Sequence, residues 1–141
     1  MKNLGMRLIA GAFALVLVCC SKSGSKDGDA ARSKFESRTN LELPANVACQ
    51  YKWVQVGDTY GEYYRFDCTS DYAKKLVEKL SLEGAGAFDP TPNDPTWWKG
   101  PSAGVSVHEK DGYSDIAHGS RMTFWYNSDE SAGYLDINFW D

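Results

Sequence analysis

Apolar and polar residues alternate along two neighbouring stretches of the chain. In residues 47–56, Val47, Cys49, Tyr51 and Trp53 alternate with Ala48, Gln50 and Lys52, and in residues 60–68 the positions Tyr64, Phe66 and Cys68 recur. A period of two built from β-branched and aromatic residues predicts strands. Gly57, Asp58, Thr59 and Tyr60 read as the loop between them. That loop sets Tyr51 against Phe66, Trp53 against Tyr64 and Cys49 against Cys68, aligning the aromatic faces and the cysteines in one register. Directly opposed strand residues lie ~4.5–5.5 Å apart at Cα, which a disulfide accepts. A Cys49–Cys68 bond is therefore expected, worth about 3 kcal/mol through loop closure.

The period then changes. Thr69, Ser70 and Asp71 offer N-cap oxygens, and Ala73, Leu76, Val77 and Leu80 fall on one helical face opposite Lys74, Lys75, Glu78 and Lys79. This predicts an amphipathic helix over 72–82, stopped by Gly84 and Gly86. Strand patterns return at Val105 and Val107, at Met122, Phe124 and Tyr126, and at Leu135, Ile137 and Phe139. A turn over Ser128, Asp129, Glu130 and Ser131 pairs Phe124 with Leu135 and Met122 with Ile137. The opposite face of that hairpin carries Thr123, Trp125, Tyr134, Asp136, Asn138 and Trp140, which makes it either half-buried or a recognition surface. The expected fold class is α+β: a single small domain over 40–141, an antiparallel sheet with one helix, in the order β-β-α-β-β-β.

Residues 21–39 lack this patterning. They are rich in Ser, Gly, Lys and Asp, with Phe35 alone among polar neighbours. A flexible tether of about 20 residues with a reach of roughly 25 Å is the expectation.

Before it, Lys2 and Arg7 precede an uncharged, mostly apolar run from Leu8 to Val18 that ends in Cys19 and Cys20. Such a run rises only ~16 Å as a helix, about half of a ~30 Å hydrocarbon core, so it reads as a signal peptide over 1–19. Its end, Leu17, Val18, Cys19 and Cys20, resembles the lipobox of bacterial lipoproteins. The resemblance implies cleavage before Cys20 and acylation of Cys20, palmitate included. It also implies that Ser21, in place of Asp, directs the protein to the outer membrane, facing the periplasm. More than one acyl chain makes such anchoring stable.

Charge divides along the same boundary. Residues 21–39 hold five basic and three acidic residues, while 40–141 hold eight basic and sixteen acidic. An acidic domain is repelled by nucleic acid and anionic headgroups and suits a basic protein partner.

Candidate chemistry is sparse. Gly100, Pro101, Ser102, Ala103 and Gly104 match G-x-S-x-G, but a strand pattern follows where the nucleophile elbow needs a helix. His108 and His118 bracket Glu109, Asp111 and Asp115 without the spacing of a zinc site or the carboxylate ladder of a calcium loop, so no metal or cofactor is implied. The most individual segment is 89–101, where Pro90, Pro92, Pro95 and Pro101 stiffen a loop that carries Trp97 and Trp98. Stiff loops with Trp anchors suit protein recognition, and one of the two tryptophans can equally fold back as a lid on the core. The expected function is a non-enzymatic, lipid-anchored, extracytoplasmic protein-binding module of inhibitor or immunity type, with Trp97 and Trp98 as contacts. Two alternatives stand beside it: a small envelope enzyme or ligand-binding module using the His108/His118 region, and a structural accessory of an envelope assembly.

Overall fold

The first alternating stretches form β2 (Cys49–Val56) and β3 (Thr59–Asp67) of a computed structural model that describes residues 22–84, 86–112 and 119–141. Their turn is tighter than expected. Val56 pairs with Thr59, so only Gly57 and Asp58 lie between the strands, and Gly57 adopts a φ of 57°. That left-handed conformation is one that glycine reaches without steric cost. The register moves accordingly: Cys49 faces Phe66, Tyr51 faces Tyr64 and Trp53 faces Glu62. An even shift keeps every side chain on its expected face, so the aromatic pattern survives. The cysteine pairing does not. Cys68 falls beyond the end of β3, and a diagonal neighbour lies roughly 7–8 Å away, outside a disulfide's usual Cα range. The expected Cys49–Cys68 bond is absent, and both residues are buried free thiols.

The C-terminal hairpin has the expected register. Strands β6 (Gly119–Asn127) and β7 (Ala132–Trp140) pair Phe124 with Leu135 and Met122 with Ile137 around the Ser128–Ser131 turn. The helix α2 (Ser70–Leu80) begins two residues earlier than expected, with the Tyr72 amide donating to the Thr69 side chain. It ends at Ser81, in the left-handed conformation, before either glycine. Val105 and Val107 precede the short strand β5 (His108–Asp111), which pairs with β6, and the two-residue β4 (Glu83–Gly84) closes that edge.

Residues 22–39 are not a tether. They form the strand β1 (Lys22–Asp27) and the helix α1 (Asp29–Thr39). β1 adds to the edge of β2 through six backbone-paired positions, although its side chains are mostly exposed. Gly24 permits this, since a Cβ there would stand 2.5 Å from the Trp53 ring nitrogen. α1 buries one narrow seam of Ala31, Phe35 and Thr39. Phe35, fully buried, meets Tyr64 at 5.8 Å and Phe66 at 4.8 Å between ring centroids. Arg32 ties down the following loop by donating to the carbonyls of Leu43, Pro44 and Val47.

The result is an α+β domain with one antiparallel sheet, in the order β1-β2-β3-β7-β6-β5-β4, and two helices where one was expected. The helices cover one face, packed on Tyr51, Tyr64, Phe66, Met122, Phe124, Leu135 and Ile137. A second cluster occupies the other face, where Phe88, Trp98, Val105 and Val107 pack on Trp125, Ala132 and Tyr134.

The buried role of Phe35 has a direct test. Phe35→Ala is expected to cost about 3–4 kcal/mol in denaturant unfolding of residues 22–141. A tether residue would move it by less than about 0.5 kcal/mol.

Candidate functional site

The second face of the sheet carries the least satisfied chemistry. Tyr63 of β3, Asp136 of β7 and Thr123 of β6 form one cross-strand row, with Gly61, Asn138 and Arg121 in the next. Over them runs the proline-rich segment as a roof. It is pinned by the Trp125 indole N–H donating to the Lys99 carbonyl at 3.1 Å and by the Asn127 amide donating to the Gly100 carbonyl at 3.0 Å. The Ser102 amide returns a bond to Asn127 Oδ1 at 2.9 Å. Between row and roof lies a cleft of about 430 Å3, bounded by Tyr63, Asp94, Thr91, Arg121, Asp136 and Trp140.

Asp136 stands out within it. The residue as a whole is half-buried, but its Oδ1 is sealed from solvent and has no hydrogen-bond partner among the described residues. Burial pushes this carboxyl up to about 7, against the hydrogen bonds from Thr123 and Asn138 that favour its charged form. The Asp94 charge adds to the rise, and Arg121 opposes it. Asp94 is itself positioned by the Thr91 amide at 2.9 Å and the Thr91 hydroxyl at 2.8 Å. Arg121 is turned to Asp111, donating to it at 2.7 Å. Trp140 is the large apolar side chain most open to solvent among the described residues, at 39% exposure.

The two tryptophans of the roof are placed differently. Trp98 is a packing residue, edge-on to Trp125 at 4.9 Å, to Tyr63 at 5.1 Å and to Tyr134 at 5.5 Å. Trp97 lies outside it, edge-on to Trp98 at 5.9 Å and half-buried. The mixed face of the C-terminal hairpin is divided: Trp125 and Tyr134 are buried beneath the roof, while Asp136 and Trp140 border the cleft.

The histidine-centred alternative is not assembled in the described residues. Strand alternation sends His108 to the helical face, opposite Phe124, and Glu109 and Asp111 to the other. There His108 borders an apolar cavity of about 380 Å3 between α2 and β6, its Nδ1 buried without a partner. His118 and Asp115 lie outside the described residues, as does Cys20. Ser102 of the G-x-S-x-G match donates to the Asp129 carboxylate at 3.1 Å, and no helix follows it among the described residues. Cys49 and Cys68 belong to the core, where burial pushes each thiol up to about 12.

Alternation alone marks Asp136 as polar, but only the roof, which comes from a distant part of the sequence, makes it part of a cleft. No protein-family model, no curated protein and no solved structure matches the chain.

Two measurements follow from these groups. The Asp136 carboxyl binds its proton more tightly folded than at its ordinary value of 3.8. Stability therefore falls as pH rises across the interval from about 4 to about 7, by at most about 1.4 kcal/mol per pH unit, and is then flat. Asp136→Asn is expected to remove that slope in urea unfolding at stepped pH; an unchanged slope would assign it elsewhere. For the cysteines, thiol titration of residues 22–141 under non-reducing conditions should find little reaction while folded and two thiols once unfolded. Finding none after unfolding would show that the diagonal gap closes into a bond.

Proposed function

We propose that this chain is a lipid-anchored, non-enzymatic binding module that meets a protein partner outside the cytoplasm. The observation that supports this best is the roofed cleft, whose lining holds both a carboxylate with a buried, unpartnered oxygen and an exposed tryptophan. Groups held at an energetic cost in a concave site are candidates for binding rather than for folding. Charge supports the same reading. With β1 and α1 included, residues 22–141 hold thirteen basic and nineteen acidic residues, which favours a basic protein and disfavours nucleic acid.

The lipid-anchor part of the proposal rests on the lipobox-like end at Cys20, and the folded β1 changes its geometry. Only Ser21 separates Cys20 from β1, so a lipid there sits within ~7 Å of the sheet rather than at the end of a long leash. Lys22 aligns across the sheet with Gln55, Tyr60, Phe139 and Ser120, at the end that carries Trp140. The anchor therefore holds the cleft close to the membrane, where an envelope-bound or periplasmic partner reaches it. An inhibitor or immunity protein fits this arrangement.

Co-purification from the producing cell's envelope tests the reading. A specific protein is expected to accompany the wild-type chain in the membrane fraction, to move with it to the soluble fraction or be lost in Cys20→Ser, and to fall about ten-fold in recovery with Trp140→Ala. No specific protein with a folded wild-type chain would overturn the reading. Recovery unchanged by Trp140→Ala would place the contact away from the cleft.

A further inference from the structure

We propose that the cleft formed by Asp136, Asp94, Tyr63 and Trp140 receives the cationic head of an arginine side chain, and less tightly that of a lysine, presented by the protein partner. The inference rests on the binding-module reading and adds the chemistry of the contact. Asp136 lines the cleft from the sheet, its Oδ1 buried and unpartnered, and Asp94 supplies a second carboxylate from the roof, already oriented by Thr91. Tyr63 and Trp140 give aromatic surface on its walls, which favours a flat, weakly hydrated guanidinium over a compact ammonium.

The other occupants fit less well. An anion would meet the carboxylates of Asp89, Asp94 and Asp136, and Arg121, the one cation among the described lining residues, is already engaged by Asp111 at 2.7 Å. A neutral ligand would leave the cost of burying the Asp136 charge in place. Among the described residues no three metal-ligating side chains converge, so a bare metal ion lacks its ligands.

Protons compete with the cation. The charged groups that face Asp136 are Asp94 and Asp89 from the roof and Arg121 from β6, with Tyr63 of β3 beside them; Asp111 and Glu109 of β5 act on Arg121. A bound guanidinium favours the ionised carboxyl, so affinity is lost as pH falls below about 7, approaching a ten-fold loss per pH unit.

The experiment titrates residues 22–141, which contain every described strand and helix, with Nα-acetyl-arginine amide, Nα-acetyl-lysine amide and neutral Nα-acetyl-citrulline amide, following the Trp140 indole and the Asp136 carboxyl by NMR. The arginine probe is expected to perturb both groups, to bind about ten-fold more tightly than citrulline, and to weaken about ten-fold in Asp94→Asn and in Asp136→Asn. Both variants should fold, because Asp94 lies in the roof loop and Asp136→Asn removes a charge the fold does not favour. Citrulline binding equal to arginine, arginine binding unmoved by Asp94→Asn, or tighter binding to phosphatidylethanolamine vesicles than to either cationic amide would each overturn the proposal. The two readings fail separately. A partner that co-purifies equally with wild-type and Asp94→Asn would sink the cation site and leave the binding module standing, whereas cation binding without any partner would do the reverse.

Discussion

Glu62 is the constraint around which the domain is arranged. It is 1% exposed, at the centre of the helical face, where an unpaired carboxylate would cost several kcal/mol. Arg38 donates to both of its oxygens, at 2.8 and 2.6 Å, and the hydroxyls of Tyr64 and Tyr60 donate at 2.9 and 3.2 Å. The cation comes from α1, so the sheet is complete only with that helix docked. Docking α1 buries Phe35 against Tyr64 and Phe66 and brings the preceding β1 alongside β2. One buried charge thus ties the N-terminal elements to a sheet whose remaining strands all follow them in sequence.

That dependence explains which parts of the fold were legible in the sequence. Period-two alternation set the faces of β2, β3, β6 and β7 correctly because a face does not depend on exact register. The β6–β7 register was also legible, since the Ser128–Ser131 turn has polar residues throughout. The β2–β3 register was not, because Asp58 and Gly57 suffice for a turn and Thr59 and Tyr60 continue the strand. β1 gave no signal: an edge strand with exposed polar side chains is held by backbone pairing and by room for the Trp53 ring over Gly24. α1 gave almost none, because Ala31, Phe35 and Thr39 make a seam one residue wide and its decisive contact, Arg38 to Glu62, joins residues far apart in the chain.

The candidate site was legible only in fragments. Asp136 and Trp140 belong to the mixed face of the last hairpin, and Asp94 to the stiff proline-rich segment, but nothing local joins them. The junction is made by Trp98, which inserts among Trp125, Tyr134 and Tyr63 and so brings the roof down on the sheet. The feature that most resembled a binding anchor is therefore the one that builds the site, while the exposed aromatic is a residue whose spacing looked like ordinary strand alternation.

The two faces obey different rules. On the helical face the buried carboxylate of Glu62 is met by a guanidinium and phenol hydroxyls, and the packing around it is aromatic and dense. The buried polar atom left over there, among the described residues, is His108 Nδ1. On the roofed face Asp136 is left with an oxygen that neither solvent nor a described residue satisfies. Among the described residues Asp136 has no partner such as Arg38 gives Glu62, and its nearby Arg121 is committed to Asp111. Where the buried carboxylate of Glu62 is fully met, the carboxylate left with an unpartnered oxygen marks the position at which, on the proposed reading, folding and binding compete. On the proposed reading the missing partner is a cation from outside the chain, and the stability that Asp136 costs the free protein is the part that such a cation would restore.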